Sequence, residues 1–228
     1  MPLRSFLCLF ALLSSTTYGD TIAVIGTGSV GAALGSEFGA QGHTIVYGSR
    51  NPSKKELVAL VARSGDDASV ATPTEAVKDA DLVVLAVPGL MVEQITIGLG
   101  DLSGKIIIDP TNALIESDQG LVMGVETSNG QLIQAIAPGA HVVKAFNTLN
   151  WEQMVDPESS GGPISIPLAG NSDLAKAKVA SLVEAMGLEA IDVGTIESAH
   201  WIEGMLILWI NNRYTSERPV FEYHLRKN

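Results

Sequence analysis

Short apolar runs alternate with stretches of helical apolar spacing along most of the chain. The runs DLVVLAVP (81–88) and GKIIIDP (104–110) are continuously apolar, which is typical of strands buried on both faces of a sheet. Because helical patterns separate the runs, the alternation predicts a mostly parallel sheet wound by crossover helices. The predicted strands cover 21–25, 44–48, 69–71, 81–88, 104–110, 141–146, 164–170 and 188–194, and the predicted helices cover 29–40, 52–63, 172–186 and a segment from 73.

The C-terminal part departs from this alternation. Residues 197–214 predict a last helix that is apolar on most sides. Three interpretations stay open for it: a buried core helix, a dimer interface, or the wall of a substrate pocket. The alternating segment 219–227 predicts a final edge strand. The prominent apolar residues are Trp201, Met205, Leu208 and Trp209 in the helix, and Phe221, Tyr223 and Leu225 on one face of the strand.

Residues 1–19 have a different composition from the rest of the chain. They hold one Arg, an apolar run over 6–13 that includes the only cysteine, Cys8, and then small and polar residues. This is the layout of a secretory signal peptide. The run is too short for a bilayer core of ~30 Å, so we expect no stable transmembrane anchor. The leader predicts export, and a cytoplasmic protein with an N-terminal extension is the alternative.

The length and net charge of the chain limit its domain organisation and the kinds of partner it can bind. The chain has 228 residues and a formal net charge of -11. We assign 20–228 to one domain, with a candidate sub-boundary at ESSGGP (158–163). The negative charge argues against nucleic-acid binding, because phosphates along a duplex need cations. Against this background the cluster Arg50, Lys54 and Lys55 stands out.

The turn IGTGSVG contains a G-x-G-x-x-G motif between a predicted strand and a predicted helix. In that context Gly26 permits a tight turn, Gly28 lets the backbone approach a pyrophosphate, and Gly31 lets the helix pack close. Free N–H groups at the helix start then hold phosphates. The motif and the alternation predict a Rossmann-type, doubly wound α/β fold with a small C-terminal helix and strand extension. The predicted phosphate-binding residues are Gly26, Thr27, Gly28, Ser29, Val30 and Gly31.

The second strand indicates which dinucleotide is bound. In NAD-binding proteins an acidic residue about 20 residues after the motif binds the ribose 2′-OH. Here that place is taken by Ser49, Arg50 and Asn51. The guanidinium of Arg50 can bind a 2′-phosphate, and Lys54 lies one turn further on if the helix has begun. The segment therefore predicts a preference for NADP(H).

The chain from Thr21 onwards resembles the NADPH-dependent deazaflavin oxidoreductases, and also the N-terminal domains of STEAP metalloreductases. The resemblance implies hydride transfer between NADP(H) and a flavin or deazaflavin as small-molecule redox acceptor, with onward transfer to a metal chelate left open and with no general acid or base strictly needed. The single cysteine and the four scattered histidines indicate no metal site. The resemblance implies that Val87 and Pro88 border the nicotinamide ribose. It also implies that Asn112 and the turn Ala145, Phe146 and Asn147 orient the nicotinamide. The segments that carry the resemblance are IGTGSVG (25–31), GSRNP (48–52), VVLAVP (83–88), IDPTN (108–112) and VVKAFNT (142–148).

Two departures and two alternatives accompany this resemblance. The family tends to carry an Arg-Tyr-Leu-Glu-Pro-like segment in the last helix, where this chain has HWIEG (200–204), and the family is normally cytosolic. One alternative is an imine or ketone reductase of the pyrroline-carboxylate-reductase type, although little chain follows Gly194 to form its dimerisation region. The other is a non-catalytic NADP-sensing domain. We expect a homodimer.

Overall fold

Most of the predicted strands and helices are present in the predicted order, and the structure adds helices over 92–98, 129–136 and 151–155 that the sequence did not predict. We describe a computed structural model over residues 19–118, 120–213 and 220–226. The strands are β1 (Thr21–Ile25), β2 (Thr44–Gly48), β3 (Ser69–Ala71), β4 (Leu82–Leu85), β5 (Ile106–Asp109), β6 (Leu114–Ser117), β7 (Gly120–Met123), β8 (His141–Lys144), β9 (Ser165–Gly170) and β10 (Glu189–Asp192). The helices are α1 (Ser29–Ala40), α2 (Glu56–Ala62), α3 (Pro73–Lys78), α4 (Val92–Gly98), α5 (Asn129–Ile136), α6 (Trp151–Val155), α7 (Asp173–Ala185) and α8 (Ala199–Arg213).

Eight strands form one sheet in the order β10-β9-β8-β5-β4-β1-β2-β3. The ladders are parallel except where β9 meets β8, which it joins antiparallel through Gly170 and Ala169. The chain crosses from one half of the sheet to the other, as in a doubly wound α/β fold. The prediction of a mostly parallel, Rossmann-type sheet is confirmed.

Helices cover both faces of the sheet and bury it. On one face Phe38 of α1 and Val179 of α7 pack against Val24 and other strand residues. On the other face Val77 of α3 and Ile133 of α5 pack in a second cluster. Burial on both faces explains why the central strands read as continuous apolar runs rather than as alternating ones.

Helix α2 begins later than the sequence predicted. The expected helix over 52–63 begins at Glu56, so the placement of Pro52 in its first turn was wrong. The backbone N–H of Lys54 donates to the carbonyl of Asn51 at 3.2 Å, which closes a turn around Pro52. A proline serves this turn as well as a helix start, and the sequence alone does not separate the two.

The predicted final edge strand is also wrong over its described part, 220–226, which forms no strand. The segment nevertheless lies beside the start of β9. The N–H of Ser165 donates to the carbonyl of Tyr223 at 2.8 Å, and the N–H of Leu225 donates to Ser165 Oγ. Only one of these bonds joins two main chains, so no ladder forms.

The hairpin of β6 and β7 was not predicted. It leaves the sheet after β5 and lies against α8, where Asn211 contacts the main chain of Leu121 through both Nδ2 and Oδ1. Within the part of the chain that the structure describes, no helix is long and apolar enough to cross a membrane. The predicted leader lies outside the described residues, except for Gly19. Export and the homodimer stay predictions.

Candidate cofactor-binding site

The predicted site residues lie in loops that meet at one edge of the sheet. Strands β8, β5, β4, β1 and β2 are consecutive neighbours and run parallel, so their carboxyl ends share this edge. In doubly wound proteins ligands bind outside these ends. The predicted cofactor-binding residues lie in the loops that follow these five strands or in the first turn of α1.

The glycine turn after β1 leaves room for a ligand. Gly26 has a φ of 105°, and a Cβ there would lie 2.1 Å from the carbonyl oxygen of Ala86. A Cβ on Gly31 would lie 2.1 Å from the carbonyl oxygen of Gly26, so the helix packs too closely for any side chain. By contrast, a Cβ on Gly28 would meet no atom within 4 Å.

Helix α1 begins in this open space. Its N-cap, Gly28, has an extended conformation and makes no capping bond through a side chain. The first N–H groups of a helix have no partner inside the helix, and they favour anions. Thr27, Ser29 and Val30 line the same turn, and Ser29 is exposed. The start of α1 therefore suits a phosphate group.

The basic segment follows β2. Ser49 is buried, and its Oγ accepts a hydrogen bond from the N–H of Asn51 at 3.2 Å. Arg50 and Lys54 are exposed, and among the described residues no carboxylate lies within 4.0 Å of either cation. Lys54 precedes α2, so the turn rather than a helix determines its position. Two cations without carboxylate partners fit an anionic ligand.

Asn112 and Asn147 pair with each other at the ends of β5 and β8. Asn147 Nδ2 donates to Asn112 Oδ1 at 2.9 Å and to the carbonyl of Ile202 in α8 at 3.2 Å. These bonds use the donors of Asn147 and leave its Oδ1 buried without a partner among the described residues. An unpaired buried acceptor is costly, and this oxygen has almost no surface that a ligand could reach. Its partner Asn112 is only half-buried.

The other residues predicted to lie near the nicotinamide differ in how exposed their side chains are. Val87 is half-buried and Pro88 is exposed, and both follow β4 at the edge of the sheet where the other loops meet. Ala145 and Phe146 are buried, and the ring of Phe146 packs edge-on against Phe38, with 6.1 Å between centroids. Phe146 has a φ of 63°, which is rare for a residue with a Cβ. The side chains of Ala145 and Phe146 are therefore used in the core and are not available to a ligand.

A buried ionic cluster lies beneath this end of the site. Lys144 Nζ donates to Asp109 Oδ2 at 2.9 Å, to Glu203 Oε1 at 2.7 Å and to the carbonyl of Thr111, and all three charged side chains have no exposed surface. The N–H of Asn129 also donates to Glu203 Oε1, at 2.8 Å. Burial raises the pKa of Glu203, while the charge of Lys144 acts to lower this pKa and the charge of Asp109 acts to raise it further.

The sequence pointed to this cluster only in part. Lys144 lies in a strand that the sequence predicts, where its alternation with Val143 indicated a packed or interfacial environment, and its side chain is fully buried. Nothing linked it to Glu203, which lies far along the chain. The available signal was a pair of ionisable residues, each inside an otherwise apolar element.

Comparisons with known proteins identify relatives of this chain. The family model described as "NADP oxidoreductase coenzyme F420-dependent" matches residues 21–113. The F420-dependent NADP reductase of Methanothermobacter marburgensis is 31% identical over 208 residues, which cover 83% of this chain and 91% of that protein. Metalloreductase STEAP3 of Rattus norvegicus is 27% identical over 185 residues, or 81% of this chain. The match spans only 36% of STEAP3, so this chain corresponds to about a third of that protein.

Solved structures show the same fold. A protein from Arthrobacter sp. FB24, provisionally assigned as an F420-dependent NADP-reductase, has a TM-score of 0.83 and 31% identity, with 92% of this chain and 100% of that chain covered. An imine reductase from Aspergillus terreus has a TM-score of 0.62 at 20% identity, over 87% of this chain and 63% of its own, which shows the fold alone. The chain belongs to the family of F420-dependent NADP reductases, and so to the NADP-dependent oxidoreductases.

Proposed function

We propose that this protein transfers hydride between NADP(H) and a deazaflavin coenzyme of the F420 type. The observation that carries the proposal is the pair of unpartnered cations, Arg50 and Lys54, beside an open phosphate-binding turn. An NAD-binding site would have a carboxylate in their place. The names of the relatives in Methanothermobacter support the deazaflavin as acceptor.

The adenine half of the cofactor is held by charge. The free N–H groups at the start of α1 would bind the pyrophosphate, which Thr27, Gly28, Ser29 and Val30 would line. Ser49, Arg50, Asn51 and Lys54 would bind the 2′-phosphate. A hydrogen bond to a charged group contributes about 1.5–3 kcal/mol, so one or two of them favour NADP over NAD by roughly 10- to 10⁴-fold.

The nicotinamide half is oriented by the loops after β4, β5 and β8. Val87 and Pro88 would border the ribose, while Asn112 and the turn that contains Asn147 would orient the nicotinamide. A bound nicotinamide supplies the hydride, and the protein contributes alignment and the exclusion of water. We assign no catalytic acid or base to this chain.

A panel of acceptors tests the proposal. NADPH or NADH is mixed with the full chain and with coenzyme F420, FMN, a ferric chelate or the cyclic imine 1-pyrroline, and absorbance reports turnover. We expect F420 to be reduced fastest, and with NADPH as donor. Faster reduction of the imine would favour the imine reductase alternative, and tight NADPH binding without turnover on any acceptor would favour the NADP-sensing alternative. Either result contradicts the proposed function.

A further inference from the structure

We propose that Lys144 is a positioning residue, whose buried ammonium group holds the Asn112–Asn147 pair in place at the nicotinamide end of the site. This inference rests on the proposed function. Lys144 does not reach the ligand itself, because its side chain is wholly buried. It acts on Asn147 through two separate routes.

The first route runs through the loop after β5. Lys144 Nζ donates to the carbonyl of Thr111, and the next residue, Asn112, exchanges two hydrogen bonds with Asn147. One joins Asn147 Nδ2 to Asn112 Oδ1 at 2.9 Å, and the other joins Asn112 Nδ2 to the carbonyl of Asn147 at 3.4 Å. The ammonium group thus fixes the main chain from which Asn112 reaches Asn147.

The second route runs through α8. Lys144 Nζ donates to Glu203 Oε1, and the neighbouring carbonyl of Ile202 accepts from Asn147 Nδ2. Glu203 Oε1 also accepts from the N–H of Asn129 at the start of α5, so this helix turn is held from two sides. Both acceptors of Asn147 Nδ2 therefore sit on segments that Lys144 holds.

The chemistry of the cluster explains why a lysine stands there. A buried ion pair adds little net stability compared with apolar packing, so stability alone is a weak reason for it. An ammonium group has three donors, and here they reach three segments: β5, the loop after β5, and α8. An apolar side chain could fill the same volume but could not orient these segments.

Two ligands separate positioning from a general structural role. Adenosine 2′,5′-bisphosphate carries the 2′-phosphate but lacks the nicotinamide, whereas NADPH carries both. We expect Lys144→Met to weaken NADPH binding by about five- to tenfold, the loss of roughly one hydrogen bond, and to leave bisphosphate binding within about twofold. Titration calorimetry on the full chain measures both. If Lys144→Met does not fold, Glu203→Gln is expected to weaken NADPH alone by about two- to fivefold.

The matched control is Lys176→Met. Lys176 is also buried and pairs with Asp192 and Asp173, but it holds neither segment that contacts Asn147. We expect it to change neither affinity. In an Asn147→Ala background, Lys144→Met should no longer affect NADPH binding.

Two results would overturn the inference. One is an equal loss of affinity for both ligands in Lys144→Met. The other is a loss for NADPH that persists undiminished in the Asn147→Ala background. A wild-type chain that binds neither ligand would instead overturn the proposed function, and this inference with it.

Discussion

Arg50 is the single side chain that most clearly indicates which cofactor the protein binds. It follows β2 directly, is exposed, and meets no carboxylate within 4.0 Å among the described residues. In this acidic chain a surface cation could readily have found such a partner. The side chain is therefore free for an anion, and its planar guanidinium suits a phosphate better than a lysine would.

Reversing this charge should separate the two nicotinamide cofactors. We expect Arg50→Glu to weaken NADPH binding by about 10- to 100-fold and to leave NADH binding within about threefold, since only NADPH carries the 2′-phosphate. Fluorescence titration with both cofactors measures the effect. Lys55→Glu is the matched control, because it makes the same change in net charge nearby. Equal losses for NADPH and NADH would remove Arg50 from the 2′-phosphate site.

At the scale of elements, the last helix was predicted over 197–214 and is present as α8, but its packing was left open, and the hairpin of β6 and β7 was not predicted. The helix buries Ile202, Glu203, Leu206 and Trp209 and leaves Trp201 exposed. Some apolar residues of α8 therefore pack in the core and others lie on the surface. For this reason the sequence of the helix has no single apolar face. The hairpin strands are short and have weak patterns, and they are held by α8 rather than by the main sheet.

The Asn211 contact predicts how firmly the hairpin is held. We expect Asn211→Ala to remove both hydrogen bonds to Leu121 and to lower the free energy of unfolding by about 1–2 kcal/mol. Amide hydrogen exchange in 114–123 should become faster, while exchange in β1 and β4 stays as in the wild type. Leu208→Ala, an exposed change in the same helix, is the control. Unchanged exchange in the hairpin would show that other contacts hold it.

For the whole molecule, the buried cluster of Lys144, Asp109 and Glu203 makes the free energy of unfolding depend on pH. Burial raises the pKa of Glu203 above the ordinary carboxyl value of 4.5, so the folded chain keeps this proton to a higher pH than the unfolded chain. The resulting stabilisation is complete below the ordinary value and is lost as pH rises through the folded pKa. Each tenfold difference in proton affinity between the folded and unfolded chain corresponds to about 1.4 kcal/mol.

Glu203→Gln should remove this dependence. We expect the free energy of unfolding of the wild type to fall relative to that of the variant as pH rises from 4 to 7. Urea denaturation at several pH values measures the difference between them. Glu116→Gln changes an exposed carboxylate of the hairpin, and it should keep the wild-type pH dependence. Parallel curves for Glu203→Gln and wild type would contradict a raised pKa for Glu203.

The amino-acid sequence by itself determined the class of fold, the glycine turn and the basic segment after β2. These features are local: burial on both faces makes strands continuously apolar, and Gly26 and Gly31 are required by close backbone contacts around the turn that joins β1 to α1. The start of α2 was predicted wrongly because Pro52 suits a turn and a helix equally well.

Only the tertiary structure decided how distant residues combine. The parallel order of β8, β5 and β4 brings Asn147 to Asn112, and the packing of α8 brings Glu203 to Lys144. Hydrogen bonds and ion pairs act over a few ångströms in space. They produce no periodic pattern in the sequence from which distant partners could be paired. For that reason the glycine turn and the basic segment could be read from the residues, while the arrangement that orients Asn147 could not.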